Sequence, residues 1–282
     1  MSKTVQLRVP CCYQGGKQRI AGQIVDRLLS VYPEGAKNVY FYDMCCGSGA
    51  ITIELLNRGV EPQQITMLDA SSWGTFWKAI GEGEFDLAVF KEELDRIPKD
   101  KREIKRYMAA LANETLKGDE RYVYPILQSC SFGGKQIWLN NGKWSNAFFR
   151  DYWEPTANSV RKSPANPMQP SPETLYKRVR ELVRRGKGIT CLRQNIVDFE
   201  IGEINEHSVV YVDPPYRGTT SYGFDFDLNA FVETFKKLND IPLFVSEGVP
   251  LGDHSEELAF GGAKGGISGN KPKKHREWIT RF

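Results

Sequence analysis

VYFYDMCCGSGAITIELLNRG, residues 39–59, is the stretch of sequence that decides the fold. It opens with aromatic and β-branched residues, which are typical of a strand, and two glycines then indicate a turn. Apolar residues follow at helical spacing from Ile51 to Leu56, and Gly59 predicts the end of that helix. The next apolar run, ITMLDA at residues 65–70, reads as a second strand. The order strand, helix, strand predicts a parallel α/β sheet.

Further elements of the same kind flank a central region that differs from them. Apolar runs predict strands at residues 189–192, 209–212, 243–245 and 278–282, and helices are predicted at 18–30 and 228–238. Between residues 91 and 185 the alternation of strands and helices stops. We therefore predict an α/β catalytic domain formed by residues 1–90 and 186–282, interrupted by an inserted domain at residues 91–185.

The inserted region has helix and hairpin patterns of its own. Residues 101–116 look helical, and Ser171-Pro172 has the form of a helix cap followed by proline at the first helical position. SFGGKQIWLNNGKWSNAFF, residues 131–149, predicts a β-hairpin, because Asn141-Gly142 favours a two-residue turn.

Composition limits the class of protein. The chain has 282 residues, 40% of them hydrophobic, and a net charge of +3, as in ordinary globular proteins. No apolar run approaches the ~20 residues of a membrane span, and the first residues lack a signal-peptide core. The six cysteines show no CxxC spacing, so we expect neither disulfides nor a metal site. These features predict a reducing, cytoplasmic location.

The glycine turn indicates a nucleoside-cofactor pocket. Asp43 ends the first strand, and Gly47 and Gly49 allow a ligand to approach the backbone closely. Asp69 ends the next strand, where a carboxylate can accept hydrogen bonds from both hydroxyls of a ribose. No third glycine completes the dinucleotide fingerprint GxGxxG, which disfavours NAD. A turn whose glycines serve packing alone is the competing interpretation.

VVYVDPPYRG, residues 209–218, places an acid, two prolines and a tyrosine directly after a strand. A residue before proline is held extended, so the Asp213 carboxylate and the Pro214 carbonyl can face one point. Pro215 stiffens the turn, and Tyr216 offers a flat face for a stacked base.

The chemistry of this turn suits an aromatic amine. Two fixed acceptors that hold the hydrogens of an NH2 group favour a pyramidal nitrogen with a localised lone pair. Such a nitrogen can attack an electrophilic methyl group through positioning and electrostatics, without a metal. The competing interpretation is a rigid exit from the strand.

DPPY at residues 213–216, together with the glycine turn, resembles the amino-methyltransferases that use S-adenosylmethionine (SAM). YQGGK at residues 13–17 is similar to the N-terminal element of Dam-like DNA adenine-N6 methyltransferases, and the motif order also matches that family. The resemblance implies a Rossmann-like sheet, mostly parallel with an antiparallel C-terminal strand, plus an inserted helical and β-hairpin domain that recognises DNA. Cys45 departs from the phenylalanine often found in this turn.

The resemblance also assigns roles to residues. The proposed catalytic residues are Asp213, Pro214, Pro215 and Tyr216, which would hold the target base. The proposed SAM-binding residues are Tyr13, Lys17, Asp43, Gly47, Gly49, Asp69, Asp198 and Asp213.

Double-stranded DNA is the partner that the resemblance implies. The target adenine would have to flip out of the duplex, while basic side chains bind phosphates. The candidate DNA contacts are Lys135, Trp138, Asn141, Lys143, Trp144, Arg184, Lys273 and Lys274, although each basic run also fits a solvated surface and both tryptophans also fit a core. We expect a monomer.

Three other functions compete with adenine methylation. Cytosine-N4 methylation uses the same chemistry, although that group more often has serine at the position of Asp213. A DNA-binding protein without turnover and a nicotinamide oxidoreductase are the other two. A restriction partner and the choice between a bacterial and a phage-infected host stay open.

Overall fold

The computed structural model describes residues 5–114, 119–200, 202, 204–215, 226–258 and 276–282. Its main feature is a seven-stranded sheet in the order β5-β2-β1-β6-β7-β9-β8. The strands are β1 (Tyr40–Met44), β2 (Ile65–Leu68), β5 (Thr190–Leu192), β6 (Ser208–Val212), β7 (Leu243–Glu247), β8 (Ser255–Leu258) and β9 (Glu277–Arg281). A separate hairpin pairs β3 (Trp138–Asn140) with β4 (Lys143–Ser145).

The direction of the strands confirms the predicted fold class. β5, β2, β1, β6 and β7 are parallel, whereas β9 runs antiparallel to β7 and β8 runs antiparallel to β9. The sheet is therefore mostly parallel with an antiparallel C-terminal strand, as in Rossmann-like methyltransferases. The described helices are α1 (Ala21–Leu29), α2 (Ala50–Asn57), α3 (Ser72–Glu82), α4 (Leu87–Asp95), α5 (Ile104–Asn113), α6 (Glu120–Cys130), α7 (Pro172–Gly186) and α8 (Leu228–Leu238).

Helices cover both faces of the sheet. Alternate residues of each strand point to opposite faces, so each face has its own core. In β6, Val209 and Tyr211 belong to a core shared with α1, α2 and α3. Val210 and Val212 belong to a second core shared with α8. All residues of β6 are buried, which explains its continuous apolar sequence.

Two buried helices, α3 and α6, contain residues that normally disfavour a helix. In α3, a Cβ atom on Gly74 would lie 2.4 Å from the Asp69 carbonyl oxygen, and one on Gly81 would lie 1.9 Å from the Ile189 carbonyl oxygen. These glycines allow α3 to pack closely against the sheet, although glycine normally disfavours a helix. α6 contains Pro125, which normally disfavours the interior of a helix, and it is buried on nearly every side.

The predicted hairpin is present in the inserted region. Asn141 and Gly142 form its two-residue turn, with φ angles of 50° and 73°, and both are exposed or half-buried. Positive φ at both positions is the geometry that an Asn-Gly turn favours.

The predicted division into two domains remains a prediction. α4 spans the boundary at residue 90, and buried residues of the inserted region share one core with α3, among them Met108, Leu127 and Leu175. Within the described residues, no helix is both long enough and apolar enough to cross a bilayer.

Candidate functional site

A cavity of about 950 Å³ lies at the carboxyl ends of β1 and β6. These strands are neighbours, but β2 follows β1 on one side of the sheet whereas β7 continues from β6 on the other. The strand order therefore runs outward in opposite directions from β1 and from β6. Ligand sites of open α/β sheets form at such a switch point. The Asp213 amide donates to the Met44 carbonyl at 3.2 Å and joins the two strand ends.

The glycine turn after β1 forms one wall of the cavity. Cys45 and Gly47 have φ angles of 62° and 51°, in the left-handed region. A Cβ atom on Gly47 would lie 2.8 Å from the ring of Tyr13. Residue 47 therefore has to be glycine for two reasons, its backbone angle and the ring packed against it.

Gly49 has a different structural setting. Its φ angle is 78°, and a Cβ atom would lie 2.3 Å from the Trp77 ring of α3. Among the described residues that line the cavity, Gly49 is absent. It packs under the turn and so supports the wall of the cavity, and its place in the SAM site remains a prediction.

Asp69 lies at the end of β2 and faces the glycine turn. Its Oδ2 accepts from the Gly47 amide at 2.7 Å, and its Oδ1 accepts from the Ser71 amide and hydroxyl. A carboxylate offers about four accepting directions, so three are used and one is left. Burial raises the pKa of Asp69, and these hydrogen bonds oppose that shift. The structure thus leaves capacity for one ribose hydroxyl where the sequence suggested two.

Asp43 is buried at the end of β1 and lines the cavity. Its Oδ2 accepts from the Thr52 amide at 3.1 Å and from the Thr52 hydroxyl at 2.8 Å, which fixes the first turn of α2. Burial raises its pKa to about 7, against the lowering effect of the Thr52 hydrogen bonds.

The YQGGK segment forms a second wall, next to the glycine turn, together with the residues before the hairpin. Tyr13 donates from its hydroxyl to Gln136 Oε1 at 2.5 Å, and the Gln14 amide donates to the Gly134 carbonyl at 2.8 Å. Gln128 of α6 holds the same segment, because its side-chain amide donates to the carbonyls of Gly134 and Lys135. The N-terminal motif and residues 131–136 therefore form one connected wall.

Lys17, which is buried, forms an ion pair with the partly exposed Asp213 in this cavity. The Lys17 ammonium lies 2.6 Å from Asp213 Oδ1 and 2.7 Å from Oδ2, and it also donates to the Gly15 carbonyl at 3.0 Å. Burial raises the pKa of Asp213, whereas the Lys17 charge lowers it. Pro214 and Pro215 line the cavity beside Asp213. Tyr216 lies outside the described residues.

The residue predicted to contact the cofactor's adenine ring lies beside the cavity. Asp198 is exposed at the end of a short 3₁₀ turn and does not belong to the described lining of the cavity. The preceding residues Gln194, Asn195 and Ile196 line the cavity instead. Asn195 also begins this turn, since its side chain accepts from the Val197 amide. We therefore add Asn195 and Ile196 to the proposed site, and the role of Asp198 remains a prediction.

The proposed DNA contacts fall into two groups. Lys135 and Trp138 line the mouth of the cavity, beside Phe132, whose side chain is 47% exposed. Asn141 and Lys143 are exposed at the tip of the same hairpin. All four face solvent at least in part, as a DNA contact requires. Arg276 also lines the mouth, with an exposed side chain.

Two of the predicted DNA contacts are removed by the structure. Trp144 is buried and stacks on Tyr124 of α6, with the ring centroids 5.9 Å apart, so it belongs to the core. Arg184 lies in the last turn of α7, just before β5 begins, and so at the amino edge of the sheet, opposite the cavity. Lys273 and Lys274 lie outside the described residues.

Sequence reasoning missed two buried acids beside Asp213. Glu247 ends β7, and Glu277 begins β9 and lines the cavity. Because β9 is antiparallel to β7, its first residue lies at the carboxyl edge of the parallel strands. The predicted antiparallel C-terminal strand is the signal that could have placed Glu277 there. Among the described residues, no group of His, Cys, Asp and Glu side chains is arranged to hold a metal ion.

Comparison with known proteins agrees with this geometry. A family model described as D12 class N6 adenine-specific DNA methyltransferase matches residues 13–241, which is most of the chain. The match extends from Tyr13 of the YQGGK segment to the start of β7 and includes the glycine turn, the hairpin and the DPPY motif. No curated protein matches the chain in sequence.

Proposed function

We infer, because the chain belongs to the family of D12 class N6 adenine-specific DNA methyltransferases, that SAM is its methyl donor and a flipped-out adenine of double-stranded DNA its target. The family itself establishes methylation of adenine N6 in DNA, in agreement with the predicted resemblance. The observation that carries the finer proposal is that the DPPY acid and the glycine turn share one cavity.

The residues of the cavity fit SAM. The volume of about 950 Å³ falls within the range of small-molecule sites. Gly47 lines the cavity beside the Tyr13 ring, and Asp69 keeps one accepting direction. We propose that Asp69 holds the ribose, Asn195 and Ile196 hold the adenine ring, and Tyr13 and Gly47 hold the methionine part.

When bound, SAM supplies an electrophilic methyl group. In the proposed reaction, Asp213 and the Pro214 carbonyl accept the two hydrogens of the target amine and orient its lone pair. Attack of this nitrogen on the methyl group would release the rest of the donor as a neutral thioether and would leave the positive charge on the nitrogen. That nitrogen then loses one proton, and Asp213 is its proposed first acceptor. Positioning and electrostatics do the catalytic work.

The DNA side of the proposal concerns the mouth of the cavity. A base inside a duplex cannot reach Asp213, which is mostly buried, so the adenine has to leave the stack. Lys135 and Arg276 are placed to bind phosphates, and Trp138 to contact the bases beside the extruded one. The six cysteines are unpaired, which supports action in a reducing compartment such as the cytoplasm.

Replacement of Asp213 tests the proposed reaction. We expect Asp213→Ala to transfer no detectable labelled methyl from SAM to duplex DNA, while DNA affinity stays within about twofold of the parent. Asp253→Ala, at an exposed loop position, is the matched control and should keep full activity. Mass spectrometry of the digested DNA should find N6-methyladenine; a parent protein that transfers no methyl would support DNA binding without turnover instead.

A thermal-shift comparison tests the cofactor separately. A ligand that binds only the folded state raises the melting temperature. We expect SAM to raise it and NAD to leave it unchanged. A shift with NAD alone would contradict the proposed cofactor and would favour an oxidoreductase.

A further inference from the structure

The corner of the cavity around Lys17 holds more acid than the proposed reaction uses. Lys17 and Glu277 are both buried, and their side chains are only 5% and 6% exposed. The Lys17 ammonium lies 3.6 Å from Glu277 Oε1, beyond its closer contacts with Asp213. Glu247 is buried on the neighbouring strand β7, close enough for its charge to act on Asp213. A carboxylate is buried at such a place only with a partner or a function.

Asp213 faces two demands that conflict. In the structure, both of its carboxylate oxygens bond the Lys17 ammonium. In the proposed reaction, it accepts a hydrogen from the neutral amine of adenine. A charged donor forms a hydrogen bond about twice as strong as that of a neutral one, so the amine competes poorly while Lys17 stays in place.

Glu277 offers Lys17 a second place. The ammonium is within 4 Å of both acids, and a movement of roughly 1 Å would bring it to hydrogen-bond distance of Glu277. Lysine has a flexible stem of four carbons, which allows such a shift without a change in the backbone. Lys17 would remain paired throughout, and after so short a movement its charge would still act on the Asp213 carboxylate.

We propose that Glu277 is a positioning residue that takes over the Lys17 ammonium when the target amine bonds Asp213. This inference rests on the proposed function, since it gives a reason for a second acid at the DPPY corner. Besides Lys17 and Asp213, the charged and titratable groups that face this corner from neighbouring strands are Asp43, Tyr211 and Glu247.

Glu277→Gln provides the test, because glutamine keeps the shape of glutamate and removes its charge. We expect kcat to fall about 10- to 100-fold, since the amine must then compete with Lys17 for Asp213. The affinity for SAM, measured by calorimetry, should stay within about twofold of the parent, which also shows that the cavity is folded. Glu256→Gln is the matched control. It lies on β8, loses only a surface ion pair with Arg27 of α1, and should leave kcat unchanged.

A double-mutant cycle separates the proposed role from a general structural one. Lys17→Met removes the competitor, so adding Glu277→Gln to that variant should cost no further activity. A structural role would lower kcat by the same factor in both backgrounds, and that result would overturn the inference. If Glu277→Gln does not fold, Glu277→Asp carries the test: it keeps the charge and should stay within about threefold of the parent kcat. A larger loss in Glu277→Asp would overturn the inference.

The result also distinguishes this inference from the proposed function. If the parent methylates adenine and the Glu277→Gln variant is equally active, only the proposed role of Glu277 is overturned. A parent protein that methylates no DNA would overturn the proposed function itself.

Discussion

The ammonium group of Lys17 contacts both carboxylate oxygens of Asp213, although these residues lie 196 positions apart in the sequence. The pair joins the YQGGK segment to the DPPY motif, the two elements on which the family resemblance most depends. Lys17 therefore acts first on the proposed catalytic acid, and we expect it to influence the chemical step more than SAM affinity.

Replacement of Lys17 tests that expectation. Lys17→Met removes the competitor of the target amine but also the charge that compensates Asp213 and Glu277, and we expect the second effect to dominate and kcat to fall. SAM affinity should change by less than about threefold. Calorimetry with SAM and single-turnover methylation measure the two effects separately. A large loss of SAM affinity with an unchanged chemical step would show that Lys17 serves the cofactor instead.

Asp43 should make stability depend on pH. Its pKa rises from 3.8 to about 7 on folding, so the folded state binds the proton more tightly than the unfolded state. The stability that comes from this proton is full below pH 4 and is lost as pH rises to about 7. As pH rises from about 4 to about 7, the free energy of unfolding of Asp43→Asn should therefore increase relative to that of the parent. Urea unfolding at pH 5 and pH 8 measures the difference, and a difference that does not change with pH would contradict the shift.

Gly49 and Gly59 form a matched pair for testing packing under the glycine turn. Both have positive φ, but a Cβ atom on Gly49 would overlap the Trp77 ring, whereas one on Gly59 would meet nothing within 4 Å. Gly49→Ala should lower the free energy of unfolding by about 3 kcal/mol or more, and Gly59→Ala by about 1 kcal/mol. Equal losses would show that the ring moves away at little cost.

Two tryptophans of the hairpin should behave differently. Trp144→Ala removes a buried ring from the core and should lower the free energy of unfolding by about 3–5 kcal/mol. Trp138→Ala should destabilise the protein less and raise the KM for DNA, because this ring lies at the mouth of the cavity. Urea unfolding and methylation kinetics check both variants, and an unchanged KM in Trp138→Ala would remove Trp138 from the DNA site.

The salt dependence of DNA binding should separate Lys135 from Arg184. A phosphate contact contributes about one unit to the slope of log K against log salt concentration, so Lys135→Gln should lower the slope by about one. Arg184→Gln should leave it unchanged, since Arg184 lies at the amino edge of the sheet. A reversed outcome, measured by fluorescence anisotropy, would place DNA on the other side of the molecule.

The sequence predicts the sheet and the position of the cavity better than it predicts individual side chains. Strands such as β6 are buried on both faces, and their continuous apolar runs are visible in the sequence. α3 was missed because Gly74 and Gly81 serve close packing, a property that appears only once the strand beside them is known. Asn195 and Ile196 were not predicted beside Asp198, since a short 3₁₀ turn decides which side chains face the cavity.

The two tryptophans show the same limit at the level of one hairpin. In the ladder, Trp138 lies opposite Ser145, and Leu139 lies opposite Trp144. Which ring is buried depends on Tyr124 of α6. This helix is hard to predict from the sequence, because it contains Pro125. Glu277 was missed for a related reason, because its nearness to Lys17 depends on the register of β9 against β7.

The hydrogen bond from the Tyr13 hydroxyl to Gln136 Oε1 has a consequence for protein engineering. If residues 128–149 were replaced by those of a relative, Gln14 would still meet a backbone carbonyl, but Tyr13 would meet a different side chain. We expect functional chimaeras to require both segments from the same parent, residues 11–17 together with residues 128–149. A change of DNA sequence specificity in this protein is therefore expected to require the replacement of both segments together.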